Sequence, residues 1–274
     1  MSTTLAAERE KSDAQANDNA VADERPAVAQ ETVVKLEGVS VSFHVPKEKV
    51  LSLKEYAIRL LKGQVQAEEF QALKKISLEI KRGEIFGIVG RNGSGKSTLM
   101  RVIARVLKPG AGRVRIAGRV SPLLELGAGF HPDLTGRENI YLNGTLLGHT
   151  KAEMAARFDE IVDFAELWEF IDAPLRTYSS GMMARLGFAA ATAFPPEILL
   201  LDEVLSVGDE RFHQKCLNRI EEFKAAGATF VIVSHYSDFV RAKCDRALWL
   251  DRGNAKLIGA AHQVIEQYQA FLNS

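Results

Sequence analysis

The segment Gly90-Arg91-Asn92-Gly93-Ser94-Gly95-Lys96-Ser97 constrains this chain more than any other. It follows the apolar run Glu84-Ile-Phe-Gly-Ile-Val89 and leads into Thr98-Leu-Met, the start of a helix-forming stretch. Its glycines let the backbone curl tightly, so that several N–H groups face one anion. A helix beginning there adds partial positive charge. In this pattern Lys96 reaches the β- and γ-phosphates of a nucleotide and the Ser97 hydroxyl reaches Mg²⁺. The spacing predicts strand, phosphate loop and helix in succession, with residues 90–98 cradling the phosphates.

The flanking text agrees with that unit. From Val33, VVKLEGVSVSF alternates like an antiparallel strand pair, and KKISLEI (74–80) is separated from the run at 84–90 by the turn Lys81-Arg82-Gly83. The helix from Gly95 ends before Lys108-Pro109-Gly110; RVRIAG (113–118) reads as a strand and residues 136–194 mostly as helix. The short apolar runs 198–201, 228–234 and 246–251 lack alternation, as expected of a parallel sheet covered on both faces. The fold class is α/β: a mostly parallel sheet, an antiparallel β subdomain and an inserted helical subdomain at about 120–194. The domain spans 32–258 and a final helix occupies 259–274.

Two strand ends carry chemistry. Ile198-Leu-Leu-Leu-Asp202-Glu203 ends in paired carboxylates. Asp202 is suited to hold Mg²⁺ through water, and Glu203 to orient and deprotonate an attacking water. His235 directly follows the strand at 228–234, at the carboxyl edge where open α/β sheets bind ligands. There it could contact the γ-phosphate and hold the water.

Charge and cysteine content exclude other classes. Lys plus Arg and Asp plus Glu number 35 each, which argues against a dedicated nucleic-acid binder. Cys216 and Cys244 have no zinc spacing and read as reduced thiols. No stretch reads as a secretory signal or a bilayer span. Residues 1–31 hold eight alanines, seven acidic and three basic residues, and are expected to be a disordered tail.

Further motifs bring a family into view. Tyr178-Ser179-Ser180-Gly181-Met182 resembles the signature sequence of ATP-binding cassette (ABC) ATPases, Asp202–Asp209 resembles their acidic motif and D-loop, and His235 matches their switch histidine. The run Leu124-Glu125-Leu-Gly-Ala-Gly-Phe-His-Pro132, followed by Leu134-Thr-Gly-Arg-Glu-Asn139, is similar to the branch that exports O-antigen, capsule or teichoic-acid chains. The resemblance implies a P-loop NTPase core and a head-to-tail homodimer. In it, Ser179, Ser180 and Gly181 of one copy bind the ATP held by the other's phosphate loop, and Asp209 signals between the two sites. The family's Q-loop glutamine is missing; its place falls at Glu125 or Leu126, and Glu125 is taken for its carboxylate. Phe43, at a strand end, is taken as the adenine platform, with Phe70 as its rival.

Between the first strands the chain inserts 45–70. Ser52-Leu-Lys-Glu55 forms a capping box before a helix at 53–62, whose Leu53, Tyr56, Ala57, Leu60 and Leu61 share one face, with Lys54, Arg59 and Lys62 elsewhere. Such a helix suits a membrane surface or a transporter subunit. The reading implied is an ATP- and Mg²⁺-dependent ATPase energising export of a lipid-linked polysaccharide. It would work at the cytoplasmic face of the inner membrane, beside a separate permease, with no appended sugar-binding domain and no nucleic-acid partner. An ATPase of another ABC transporter type, or a soluble non-transport ABC protein, is the alternative.

Overall fold

The computed structural model describes residues 31–46, 67–123, 126–127, 129–202 and 209–273. Residues 1–30 of the expected tail, the helix expected at 53–62, Glu125 and Glu203 lie outside the described residues.

Two sheets build the body. The first is antiparallel, in the order β2-β1-β4, from β1 (Thr32–Pro46), β2 (Ala67–Lys81) and β4 (Ala111–Ile116). Val34 and Leu36 turn into the core while Lys35 and Glu37 face out, the alternation of a half-buried strand. The segment from Val33 is thus one strand, not a strand pair. It stays continuous because register shifts around Gly38, at φ 59°, absorb the break. β2 begins well before residue 74, so both ends of the 45–70 insertion are strand: Pro46 pairs with Ala67 and Phe43 with Phe70.

The second sheet has the order β5-β6-β7-β3-β8-β9. Its strands are β3 (Ile85–Val89), β5 (Val120–Leu123), β6 (Ile198–Asp202), β7 (Thr229–Val233), β8 (Arg246–Asp251) and β9 (Asn254–Ala260). All pairs are parallel except β8–β9. Every residue of β7 is buried, which accounts for its unbroken apolar sequence. Residues 120–123 belong to this sheet, so the helical segment starts later than about 120. β9 was not anticipated, since its residues are mostly half-buried and carry no clean period.

The helices are α1 (Lys96–Ile103), α2 (Gly136–Leu146), α3 (Lys151–Ala165), α4 (Ser180–Ala191), α5 (Glu210–Ala225), α6 (Ser237–Lys243) and α7 (Ala261–Leu272). α2 and α3 each start with a complete capping box, Thr135 with Glu138 and Thr150 with Glu153. Together with α4 they enclose a core of their own around Ile140, Phe158, Tyr178 and Leu186. A separate core fills the space between the two sheets, around Leu36, Ile88 and Met100.

Candidate active site

Strand order decides where the chemistry meets. β3 lies between β7 and β8, with β6 beyond β7. Ile88 and Asp202 both pair with Val233, so the residues leaving β3, β6 and β7 emerge at one edge. There the phosphate loop, Asp202 and His235 line a single cavity of about 320 Å³ together with Phe70, Ala72, Lys96, Ser97 and Thr98.

The loop is shaped by close approaches only glycine permits. A Cβ on Gly90 would stand 2.1 Å from the Leu250 carbonyl oxygen, and one on Gly95, at φ 108°, would stand 2.6 Å from the Ala72 oxygen. The turn after β8 buttresses the loop, with the Gly253 N–H donating to the Ser94 oxygen at 2.9 Å. Lys96 is buried, and its Nζ donates to the carbonyls of Gly90 (2.8 Å) and Arg91 (3.2 Å). The ammonium is thereby held inside the curve, where burial of an unpaired charge would otherwise be costly.

Phe43 and Phe70 face each other across the β1–β2 pair, but Phe70 lines the cavity and Phe43 does not. The geometry therefore favours the rival aromatic over Phe43. Ala72, within β2, and Val233, at the end of β7, also border the cavity; as apolar strand residues they give no signal of a site in the sequence.

Ser179 is the N-cap of α4, its hydroxyl accepting from the Met182 N–H at 3.2 Å. Ser179 and Ser180 are exposed, and neither they nor Gly181 line the phosphate-loop cavity. The preceding Tyr178 is buried and donates to the Phe170 carbonyl at 2.7 Å, anchoring the turn; burial raises its phenol pKa. Asp209 caps α5, accepting from the Phe212 N–H at 2.8 Å, and pairs with Arg185 of α4 at 2.9 Å. The accepted N–H, then the positive charges of Arg185 and Arg211, hold its carboxyl below the usual range. Arg185 carried no motif in the sequence and was not anticipated.

A cassette fold with a glycine-formed phosphate loop, a strand-end aspartate and a strand-end histidine around one cavity defines a P-loop nucleotide-binding subunit. The ABC transporter family matches residues 73–206. The chain is 48% identical over 213 residues to an O-antigen export system ATP-binding protein of Klebsiella pneumoniae, covering 78% of this chain and 85% of that protein. It is 49% identical over 221 residues to a protein of the same description from Myxococcus xanthus, covering 80% of this chain but only 51% of that longer relative. A teichoic acids export ATP-binding protein of Levilactobacillus brevis is 45% identical over 202 residues, 74% of this chain and 56% of that protein. Among solved structures, a dimeric ATP-binding cassette bound to ADP and phosphate matches with TM-score 0.62 at 24% identity, over 83% of this chain and 98% of that one. This chain belongs to the ABC transporter family of ATP-binding subunits, in the branch of the polysaccharide exporters.

Proposed function

We propose that this protein is the ATP-hydrolysing subunit of an exporter that moves a lipid-linked polysaccharide across the cytoplasmic membrane. One observation carries the mechanism: the cavity gathers the phosphate loop, Asp202 and His235, while Ser179 and Ser180 stand exposed and neither they nor Gly181 line it. A serine-capped helix N-terminus is an anion site with no anion of its own subunit to bind. A second copy, turned head to tail, supplies one.

In this reading the loop amides and Lys96 hold the β- and γ-phosphates, and Phe70 stacks on the base. Ser97 and Asp202 both line the cavity, and an alcohol with a carboxylate are the hard oxygen donors that suit Mg²⁺, which when bound would offset phosphate charge. Glu203, next after Asp202, takes the proton from the attacking water, and His235 holds that water against the γ-phosphate. The partner's Ser179, Ser180 and Gly181 close the site. Nucleotide thus joins the two copies, and its hydrolysis releases them.

The export assignment rests on the names of the relatives. Among the described residues no helix is long and apolar enough to cross a membrane, so the translocation path is assigned to a separate permease. Contact with it or with the lipid surface is assigned to the helix at 53–62, and the working location to the cytoplasmic face. Replacing Leu53, Tyr56 and Leu60 with Ser is expected to impair export and leave the purified chain's ATPase intact. Unimpaired export, or an unfolded product, counts against that docking. For the subunit as a whole, permease-dependent membrane association on cell fractionation is the expected result, and ribosome association would refute transport.

A further inference from the structure

The run Leu134-Thr-Gly-Arg-Glu-Asn139 contributes nothing to the nucleotide cavity, yet it contains a fully buried amide. Asn139 lies in the first turn of α2 with 0% of its surface accessible. A buried amide is tolerated only when its polar atoms are satisfied. One short segment satisfies them all. Oδ1 accepts from the His131 N–H at 2.7 Å, and Nδ2 faces the carbonyl oxygens of His131 (3.1 Å), Leu134 (3.1 Å) and Thr135 (2.9 Å).

That segment is bonded in turn to the approach to the signature serines. The Leu175 N–H donates to the Leu134 oxygen and the Arg176 N–H to the Pro132 oxygen, each at 2.9 Å. Thr135 and Pro174 form an antiparallel bridge, and Arg176 meets Asp133 at 3.1 Å. Ser179 follows within one turn of chain. The same two stretches share the wall of a groove of about 490 Å³, in which Phe130 and Pro132 stand beside Arg176, Tyr178 and Ser180.

We propose that Asn139 is a positioning residue of the composite ATP site. It fixes residues 131–135, and their pairing with 174–176 sets where Ser179 and Ser180 stand for the partner's nucleotide. The proposal rests on the two-copy reading above. Asparagine is required because three carbonyl oxygens converge on Nδ2; a carboxylate oxygen in that place would meet them without a proton.

The test uses the full chain carrying Glu203→Gln, with dimerisation on ATP followed by sedimentation and monomer binding followed with a fluorescent ATP analogue. Adding Asn139→Asp is expected to raise the ATP concentration for half-dimerisation about tenfold, the scale of one unsatisfied buried polar group. Monomer affinity is expected to stay within about twofold, because the Lys96 half-site shares none of these bonds. Unchanged dimerisation overturns the proposal. So does an equal loss of monomer affinity, which would mark Asn139 as a support of the fold alone. If Asn139→Asp does not fold, Arg176→Gln cuts the same path at an exposed ion pair. It is expected to shift dimerisation the same way by about threefold, and no shift overturns the proposal. If the Glu203→Gln parent itself never dimerises, the two-copy reading falls first and this proposal with it; a dimerising parent isolates the failure to Asn139.

Discussion

Arg185 and Asp209 meet at 2.9 Å, and the contact joins the helix that starts at the signature serines to the helix that follows the acidic strand end. Arg185 also lies over the Phe212 ring at 4.7 Å, the residue whose N–H Asp209 caps. The carboxyl of Asp209 is held below its ordinary range, so its stabilising effect is complete above the unfolded carboxylate pKa and is lost as pH falls through its own lower value. Asp209→Asn keeps an acceptor for the cap and removes the charge. Its thermal midpoint should fall less steeply than that of the parent as pH drops below about 4. Superimposable profiles would show that the ion pair carries no pH-dependent stability.

Hydrolysis should depend on Glu203 more than binding does. Glu203→Gln is expected to lower steady-state phosphate release by about 100-fold or more while ATP-loaded dimer accumulates. Normal turnover by this variant would remove the residue as general base. Lys96→Ala, by contrast, should weaken binding itself, measurable by calorimetry.

The two aromatics can be separated by affinity. Stacking on a base is worth roughly 1–3 kcal/mol, so Phe70→Ala should weaken ATP binding by roughly five- to a hundredfold, with Phe43→Ala having the smaller effect. The reverse order would return the platform to Phe43.

The loop glycines should not be equivalent. Gly90→Ala places a methyl 2.1 Å from the Leu250 oxygen and should abolish nucleotide binding along with a drop in thermal midpoint. Gly93 has φ 76° and nothing within 4 Å of a built Cβ. Gly93→Ala should therefore cost only backbone strain, about 1–2 kcal/mol. Equal damage from both would mean the close approach at Leu250 does not shape the loop.

Cys216 and Cys244 are buried, and burial pushes both thiols up to about 12. At pH 8 neither should react with iodoacetamide until denaturant is added, as mass spectrometry would report. Rapid labelling of either residue in the native protein would contradict the burial.

Much of this was legible because the cues are local. The phosphate loop announces itself through three glycines and a lysine between an apolar run and a helix start. Asp202 and His235 stand out because each directly follows such a run or ends it. The errors have local causes too. The segment from Val33 reads as two strands because Gly38 interrupts the alternation, and only pairing to both β2 and β4 keeps it as one. Residues 120–123 show little strand character alone, and become strand through pairing with β6.

The sequence by itself determined which groups could bind phosphate, hold a metal or accept a proton, because those properties belong to side-chain chemistry and short-range spacing. The tertiary structure decided which of them share a cavity. Sheet order brings Asp202 and His235 to the phosphate loop, the closeness of β2 to that loop at Ala72 brings Phe70 rather than Phe43, and the fold leaves Ser179 and Ser180 outside. It also turned Asn139 from one letter of a motif into the buried clasp of a loop. Pairing between distant segments is set by the packing of the whole chain, and no window of neighbouring residues contains it.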